Sequence, residues 1–317
     1  MCSVVTWIHF VPDRPEPMRH FDPQSLALFI AVCDQGSIAA AAEQMAIVPS
    51  AISKRMTALE DQVGVRLLIR RKRGVVVTPA GEVMLRAARE TLSSMERLQA
   101  ELSEFSHGLQ GNLRILASLS AVCQFLPSQI SQFMKEHPRV QVNLEEKISA
   151  LITRGIEEGR ADIGLCWENA RTHHLHHRHY HTDQLGLVVK PDHPLAERHQ
   201  LRFEETLAYD HVEILPGSLV SLTLQREATL LGRAIRFRVH VTTFDATFRI
   251  VDSGLAVAVV PMDAAGLYAK AMDIRAIPLV DEWATRRFVA FVRDLDALSA
   301  PARHLFDYLT ESASSSP

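Results

Sequence analysis

The sequence has few cysteines, few aromatic residues and no long hydrophobic run. Its four cysteines, Cys2, Cys33, Cys123 and Cys166, lie far apart and form no C-x-x-C pair. This spacing excludes a disulfide framework and a cysteine-based zinc knuckle, and it is typical of a reducing compartment. A redox-sensing role for Cys123 or Cys166 is the alternative to burial as small apolar side chains.

Segments for membrane insertion or export are also missing from the sequence. The longest apolar stretch near the start lies within SVVTWIHFV, far below the roughly 18 to 20 residues of a membrane-spanning helix. It lacks the basic flank and the small-residue cleavage site of a signal peptide. We therefore expect a cytoplasmic protein that does not contact a membrane.

Motifs of the common enzyme classes are absent as well. The chain contains no G-x-S-x-G, Walker loop, dinucleotide fingerprint or H-E-x-x-H, so a hydrolase or oxidoreductase would have no recognisable nucleophile or cofactor site. We predict a protein that is not an enzyme and carries no cofactor. A solute-binding module fused to a helical cap is the rival class, and it would carry a signal peptide and no basic N-terminal segment.

The charge of the chain is concentrated locally, although its composition is that of an ordinary globular protein. The 317 residues are 47% hydrophobic and 22% charged, with a net charge of −3, which predicts two or three packed units. Residues 53–73 nevertheless hold seven Lys and Arg against two acidic residues, a local charge of +5. Such a patch attracts the phosphate backbone of a nucleic acid duplex.

Capping residues predict three short helices around this basic patch. Asp22 and Pro23 form an N-cap and first turn ahead of QSLALFIAVCDQ, and Gly36 with Ser37 ends that helix and caps the next, IAAAAEQMA. Pro49 opens a third helix, PSAISKRMTALEDQV, which ends at a glycine. In the third helix the apolar residues form one stripe and the serines and basic residues lie beside it.

The connections between these segments indicate a winged helix-turn-helix. A tight turn at residues 46–48 joins the second and third helices, and in this arrangement the second helix of the pair enters the major groove. The following VRLLIRRKRGVVVTPAG is typical of two short strands around a basic turn at residues 70–74. Such a wing would place its cations over phosphate or minor groove.

The stretch from FDPQSLALF to VVVTPAG resembles the DNA-binding domain of LysR-type transcriptional regulators. GNLRILA, FLPSQISQFMKEHPRVQVNL, GRADIGL, LVVKPDHPLA and IVDSGLAVAVVP follow in the order typical of the family, so the resemblance covers about residues 18–310. It implies a transcription regulator with a winged head, a long linker helix and a two-lobed α/β effector domain similar to periplasmic solute-binding proteins.

The resemblance also implies which residues contact double-stranded DNA. Ser53, Lys54 and Arg55 would face DNA from the recognition helix, Arg70 would hold the backbone, and Thr78 would cap the helix that leaves the wing. The full predicted set is Ser50, Ser53, Lys54, Arg55, Arg70, Arg71, Arg73 and Thr78.

The sequence departs from the family pattern at the start of the recognition helix. The family has Ser or Thr where this chain has Val48, so the usual side-chain cap is absent. A glutamine common at the next position is replaced by Pro49, which offers no side-chain hydrogen bond to a base. We therefore do not expect a base contact from position 49.

A long helix is predicted to follow the wing, from Pro79 to about Ser106. Seven residues follow alternating steps of four and three, which is the spacing of a coiled-coil seam: Met84, Ala88, Thr91, Met95, Leu98, Leu102 and Phe105. This seam predicts a partner helix, and the resemblance favours a homodimer or a homotetramer built from two dimers. The alternative is that the helix packs on its own C-terminal domain.

Alternating strand-like and helix-like segments predict an α/β domain with largely parallel strands beyond the linker. The predicted organisation is an N-terminal extension (1–20), the winged head (21–78), the linker helix (79–107) and the effector-binding domain (108–317). Within that last domain, lobe 1 would contain about 111–180 and 282–317, and lobe 2 about 181–281.

The cleft between the lobes is the predicted site for a small-molecule effector. In LASLSAVCQFLP, Ser118 and Ser120 lie between a strand and a helix, where hydroxyls and free N–H groups can hold a small anion; simple helix capping is the alternative. With the positions that the resemblance implies, the predicted set is Ser118, Ser120, Trp167, Glu168, Pro216, Ser218, Thr242, Thr243 and Phe244. An organic acid or an aromatic metabolite is expected, although Glu168 leaves the effector's charge open. RNA polymerase is a further partner compatible with this class.

The run HHLHHRHYH at residues 173–181 is the most unusual composition in the chain, with six histidines. On a regular strand His177, His179 and His181 would share one face and could bracket zinc or nickel. A metal-responsive regulator is therefore an alternative hypothesis. Imidazoles on a solvated edge strand need no function, however, and we assign no metal site.

Overall fold

The computed structural model of the protein describes residues 21–71, 74–107, 109–168, 172 and 174–311, without the side chains at 100, 101 and 103–107. The predicted extension at 1–20 lies outside this description. The chain divides into two compact units, Met1–Leu92 and Ser93–Pro317. Within the described residues no single helix is long and apolar enough to cross a membrane, and the one helix pair that meets the length and composition criteria together is bent by 119°.

The first unit begins with three helices, whose predicted caps are confirmed. They are α1 (Pro23–Gln35), α2 (Ile38–Gln44) and α3 (Pro49–Val63). Asp22 and Ser37 accept hydrogen bonds from backbone N–H groups of the first turns of α1 and α2. Val48 provides no side-chain cap for α3, as expected, and Gly36 and Gly64 end α1 and α3 with φ of 60° and 74°.

Two antiparallel strands form the predicted wing, and the long helix follows them. These elements are β1 (Leu68–Arg71), β2 (Gly74–Val77) and α4 (Pro79–His107). The N–H of Val75 donates to the carbonyl oxygen of Gly36 at 2.8 Å, which attaches the wing to the turn before α2. Gly74 has φ 97°, and a Cβ atom there would lie 2.3 Å from the same oxygen. This close approach requires glycine at the root of the wing.

The long helix α4 differs from the predicted seam in its first part. Met84 is half-buried and Ala88 is buried, and both lie on the side of the helix that packs toward the first unit's core. Because Ala88 is already covered, the seam prediction was wrong at that position, whereas at Met84, which is only partly covered, it stays a prediction. Met95, Leu98 and Leu102 are 44%, 56% and 61% exposed, so an apolar row exists further along the helix. Phe105 lies among the side chains that are not described.

The second unit begins with parallel strands, as predicted. Its first elements are β3 (Gln110–Ala117), α5 (Leu119–Gln124), α6 (Leu126–Glu136), β4 (Arg139–Glu146), α7 (Ser149–Glu157) and β5 (Ile163–Trp167). The strand β3 pairs in parallel with β4 on one side and with β5 on the other. Helices therefore lie between sequential strands, as parallel connections require.

A long strand then leads from the first lobe into the second. The elements that follow are β6 (His176–Val189), α8 (Phe203–Thr206), β7 (Asp210–Ile214), α9 (Leu219–Leu230), β8 (Arg236–Val241), α10 (Phe244–Asp252), β9 (Ala258–Pro261), α11 (Met262–Tyr268) and β10 (Arg275–Pro278). The second half of β6 pairs with β9 and β10, and β7 pairs in parallel with β8.

The chain returns to the first lobe through a second crossover strand. After a short 3-10 turn, Glu282–Ala284, come β11 (Thr285–Val292) and α12 (Ala300–Glu311). β11 pairs antiparallel with β5 and with the first half of β6. The larger sheet thus has the order β10-β6-β11-β5-β3-β4, and separate apolar clusters lie in the two lobes. Within this larger sheet, antiparallel pairing among the described strands is confined to the crossover strands and their neighbours.

Candidate nucleic-acid interface and effector cleft

The recognition helix α3 presents polar side chains opposite an apolar stripe. Ile52, Met56 and Leu59 are buried in the core of the first unit. Ser50 and Lys54 are exposed, while Ser53 and Arg55 are half-buried. Burial of the stripe fixes the helix orientation, so the polar face is available to a partner.

Arg55 contacts its own protein instead of lying free on this face. One guanidinium nitrogen donates to the Asp22 carboxylate at 2.7 Å and to the Ser25 hydroxyl at 3.1 Å, and the other donates to the side-chain oxygen of Gln24 at 2.7 Å. The Ser25 hydroxyl and, more weakly, Arg55 hold the pKa of Asp22 below its ordinary value. Arg55 therefore joins α3 to the start of α1.

Glu60 attaches the end of α3 to the beginning of the wing. One carboxylate oxygen accepts the N–H groups of Leu67 and Leu68 at 2.8 and 3.0 Å, and the other accepts from Arg66 at 2.9 Å. Partial burial opposes ionisation, but the bonds from Leu68 and Leu67 hold the pKa of Glu60 below its ordinary value. The wing is thereby held in a fixed position relative to the recognition helix.

The wing carries the remaining predicted DNA contacts. Arg70 and Arg71 are exposed on β1, whereas Arg73 lies outside the described residues. Thr78 donates its hydroxyl to the Arg66 carbonyl at 2.8 Å and accepts the Gly81 N–H at 3.0 Å. Thr78 thus caps α4, as the family resemblance implied.

A cleft in the second unit contains five of the predicted effector residues. Ser118, Ser120 and Trp167 line it from the first lobe, and Ser218 and Phe244 line it from the second. The structure brings these residues together although they are distant in sequence. The cavity volume is about 50 Å³, so only a few water molecules fit in this arrangement.

Four other predicted effector residues do not line this cavity. Pro216, Thr242 and Thr243 are exposed, and Thr243 caps α10 by accepting the N–H of Ala246. Glu168 lies 3.5 Å from the Nε of Arg287. Because Glu168 is paired with an arginine away from the cavity, it does not add a negative charge to the cleft.

Sequence reasoning missed both cations of the lining, Lys147 and Arg286, and most of its apolar side chains, among them Leu215 and Phe288. Lys147 follows β4, and Arg286 lies on the crossover strand β11. Lys147 could have been predicted as a cleft residue, because it is a basic residue directly after the end of a strand. No local sequence pattern indicated that Arg286 lines the cleft.

Arg286 forms a buried ion pair with Asp183 on the neighbouring crossover strand. The two side chains are 1% and 0% exposed, and Nε donates to the carboxylate at 2.7 Å while Nη2 donates to its second oxygen. Burial raises the pKa of Asp183, and Arg286 opposes this effect. The guanidinium also packs over Trp167 and Phe288, 5.6 and 5.0 Å from the ring centres.

The hydroxyls at the lobe 1 side of the cleft have different partners. Ser120 accepts weak hydrogen bonds from Arg286 at 3.4 and 3.5 Å. The Ser118 hydroxyl is buried and has no hydrogen-bond partner within the described part of the chain. It stands at the N-cap of α5 without making the cap bond, so simple capping does not account for it.

Three helices of eight or more residues begin at the cleft. The first residues of α7, α9 and α10 line the cavity. Helix N-termini carry a partial positive charge and unpaired N–H donors. Among the described residues that line the cavity, none is acidic and two are basic. Both cations pair with carboxylates, Lys147 with Glu145 at 3.2 Å and Arg286 with Asp183, so the positive character of the site comes mainly from the helix N-termini.

The histidine run does not form the hypothesised three-histidine face. A bulge in the β6–β11 pairing places His179 opposite Val289 and His181 opposite the adjacent Phe288. His179 and His181 therefore lie on opposite faces of the strand, and His181 stacks on Phe125 at 4.1 Å. The described residues contain no group of three His, Cys, Asp or Glu side chains suited to a metal, and His173 lies outside them.

The described cysteines, Cys33, Cys123 and Cys166, differ in exposure. Burial raises the pKa of Cys33 to about 12 and, to a smaller extent, that of Cys123. Cys166 is fully buried in an apolar cluster of the first lobe. Because the thiolate is the reactive form, Cys33 and Cys166 agree better with apolar packing than with redox sensing. Cys123 is exposed and is not packed as a buried apolar side chain.

A winged helix-turn-helix followed by a two-lobed domain with a cleft is the architecture of a ligand-responsive transcription regulator. The family described as "Bacterial regulatory helix-turn-helix protein, lysR family" matches residues 23–82, and the "LysR substrate binding domain" matches residues 106–314. The chain belongs to the LysR family of transcriptional regulators.

Individual relatives are similar to the chain over most of its length. The Escherichia coli K12 regulator YbhD is 23% identical over 289 residues, covering 91% of this chain and 90% of the relative. Full-length OxyR from Pseudomonas aeruginosa has a TM-score of 0.69 at 18% identity, covering 93% and 95%. CbnR in complex with its target DNA has a TM-score of 0.64 at 21% identity, covering 92% and 100%. At these identities the likeness shows the fold alone.

Proposed function

We propose that this regulator binds operator DNA through α3 and the wing, and that a small anion in the cleft modulates the binding. The observation that carries the effector proposal is the lining of the cleft, where three helix N-termini meet the buried Ser118 hydroxyl, which has no hydrogen-bond partner among the described residues, and where no described lining residue is acidic. We further propose that the protein acts in the cytoplasm, has no catalytic activity, and works as a homodimer or homotetramer.

The proposed DNA interface assigns different roles to the basic residues. Lys54 and Arg70 are exposed and can reach phosphate or base edges without losing a protein contact. Arg55 holds α1 through Asp22, so we assign it to positioning of the recognition helix in the free protein. A role for Arg55 at a base edge would require it to release these partners.

We expect Lys54→Ala and Arg70→Ala each to weaken operator binding about fivefold to tenfold. Each loss should also reduce the slope of log affinity against log salt by roughly 1, because one counterion fewer is released. Fluorescence anisotropy titrations at several salt concentrations measure both quantities. Lys270→Ala removes an exposed lysine from the second unit and serves as the charge-matched control. An unchanged slope for all three variants would exclude the proposed phosphate contacts.

The chemistry of the cleft favours a carboxylate attached to a compact apolar or aromatic body. Helix N-termini, Lys147 and the Ser118 hydroxyl can receive the carboxylate, while Trp167 and Phe244 offer apolar surface. Because the cavity is small in this arrangement, a larger effector would require the lobes to separate. Lobe movement coupled to the linker helix is the switch we propose.

Small carboxylates should stabilise the full-length protein more than their amides do. We expect benzoate and aliphatic acids to raise the melting temperature and to alter the DNA footprint, whereas benzamide and aliphatic amides should not. Ser118→Ala should weaken the response about tenfold, because it removes a hydroxyl that has no competing protein partner. A thermal-shift titration measures this, with Ser128→Ala on the exposed start of α6 as the control. Equal shifts by acids and amides would contradict an anion site.

A further inference from the structure

A buried carboxylate in the second lobe joins α9, which begins at the cleft, to the neighbouring strand β8. The side chain of Glu213 on β7 is 7% exposed. One oxygen accepts from the Ser221 hydroxyl and from the Gln225 amide at 3.2 Å, both on α9. The other oxygen lies 2.5 Å from Nδ1 of His240 on β8. Glu213 therefore connects the first half of α9 to the end of β8.

The turn between β7 and α9 forms part of the cleft wall. Leu215 and Ser218 both line the cavity, and Leu215 has φ 51°. A bulky residue rarely adopts this left-handed conformation, so surrounding structure must hold it. Two backbone bonds do so: Leu215 N–H donates to the Val241 carbonyl at 2.7 Å, and Ser218 N–H donates to the Leu215 carbonyl at 2.9 Å.

Glu213 is connected to both ends of this strained turn. His240 directly precedes Val241, whose carbonyl accepts from Leu215. Ser221 donates its backbone N–H to the hydroxyl of Ser218, the cap of α9. We propose that Glu213 is a positioning residue that holds the Leu215 turn against the cleft, and that protonation of His240 tightens this hold.

The other donors on Glu213 are neutral, so His240 is the partner that can change charge. Ser221 and Gln225 carry no charge at any physiological pH. The remaining cations of β8 are engaged elsewhere, since Arg236 and Arg238 pair with Asp210 at 3.0 and 3.3 Å.

The nearby histidine on β7 does not take part. His211 is fully buried, and its ring nitrogens lie 3.2 Å from the Tyr209 carbonyl and from the Thr206 hydroxyl. Burial lowers the pKa of His211 to about 4, so it is neutral between pH 6 and pH 8. His211 therefore does not supply a pH response of the turn in this range.

Protonation of His240 adds a charge–charge attraction to its bond with the Glu213 carboxylate, a bond in which one partner is already ionised. The Leu215 turn should then open less often at pH 6 than at pH 8. The regulatory consequence of a more stable Leu215 turn rests on the proposed function, because this turn forms a wall of the proposed effector cleft. The effector-binding wall would be stiffer in a more acidic cytoplasm.

Hydrogen–deuterium exchange of the full-length, effector-free protein tests the proposal. After correction for intrinsic rates, we expect the Leu215 and Ser218 amides to be about fivefold more protected at pH 6 than at pH 8. His240→Gln keeps a donor but cannot titrate, so its protection should be equal at both pH values. Glu213→Gln should lower protection at both.

His199→Gln replaces an exposed histidine of the same lobe and should retain the wild-type ratio. Equal protection in the wild type at both pH values, or an unchanged ratio in His240→Gln, would overturn the proposal. Because His240 is 58% exposed, its substitution should not prevent folding. The measurement needs no effector, so a failed carboxylate screen and a failed exchange experiment are separate results.

Discussion

Replacing Arg286 with methionine should destabilise the effector domain by about 3 to 5 kcal/mol. Methionine keeps much of the side-chain volume but leaves the buried Asp183 carboxylate without its cation, and an uncompensated buried charge is strongly unfavourable. The ion pair is 1% and 0% exposed, so water cannot replace the lost partner. Urea denaturation of the full-length protein, followed by circular dichroism, measures the change.

Two further variants separate the lost charge from lost packing. Arg286→Met combined with Asp183→Asn should recover most of the stability, because the unpaired charge is then removed. Arg249→Met breaks an exposed pair with Asp245, 69% and 55% exposed, and should change stability little. If Arg286→Met is no more destabilising than Arg249→Met, the buried pair does not have the role assigned here.

The same pair shows why part of the site could not be predicted from the sequence. Asp183 and Arg286 are 103 positions apart, and they meet because the crossover strands β6 and β11 lie side by side. Local patterns carry no information about such a pairing. The contact of Arg55 with the start of α1 spans 33 positions and was missed for the same reason.

Features that depend on a few adjacent residues were predicted well. Asp22, Ser37 and Gly64 cap their helices as expected, because capping depends on the side chain or conformation of one residue. The two-lobed organisation was also predicted, because the order of the family-like segments is a property of the whole chain and not of a single local pattern. Ser118 and Trp167 both line the cavity, and both lie at or next to the end of a parallel strand.

Two errors had a common physical cause, which is that periodicity assumes regular geometry. The bulge at Phe288 and Val289 shifts the register of β6 and separates His179 from His181. The heptad pattern of α4 was regular, but Ala88 in its first part is buried within the protein. A repeat in sequence indicates which side chains share a face, but tertiary structure determines what that face contacts.

Substitutions in the exposed apolar row on α4 should have a second large effect, which is on oligomerisation and operator affinity. Leu98 and Leu102 are 56% and 61% exposed and four residues apart, so they lie on one face of the helix. With Met95 they continue the coiled-coil spacing, and two glutamates there would place like charges opposite each other in a paired helix. We expect Leu98→Glu with Leu102→Glu to convert the oligomer to monomers and to weaken binding to a two-half-site operator at least a hundredfold.

The loss of affinity should be large because a dimer binds its second half-site intramolecularly, at an effective concentration of the order of millimolar. Analytical ultracentrifugation measures the mass, and anisotropy titrations on one and two half-sites measure the affinity. Binding to a single half-site should change far less, since α3 and the wing are untouched. Val83→Glu introduces the same charge at an α4 residue that is 59% exposed but lies off the row, and it should leave the mass unchanged. An unaltered mass for the double variant would mean that oligomers assemble through another surface, and that the apolar row of α4 does not pair with a second copy of the chain.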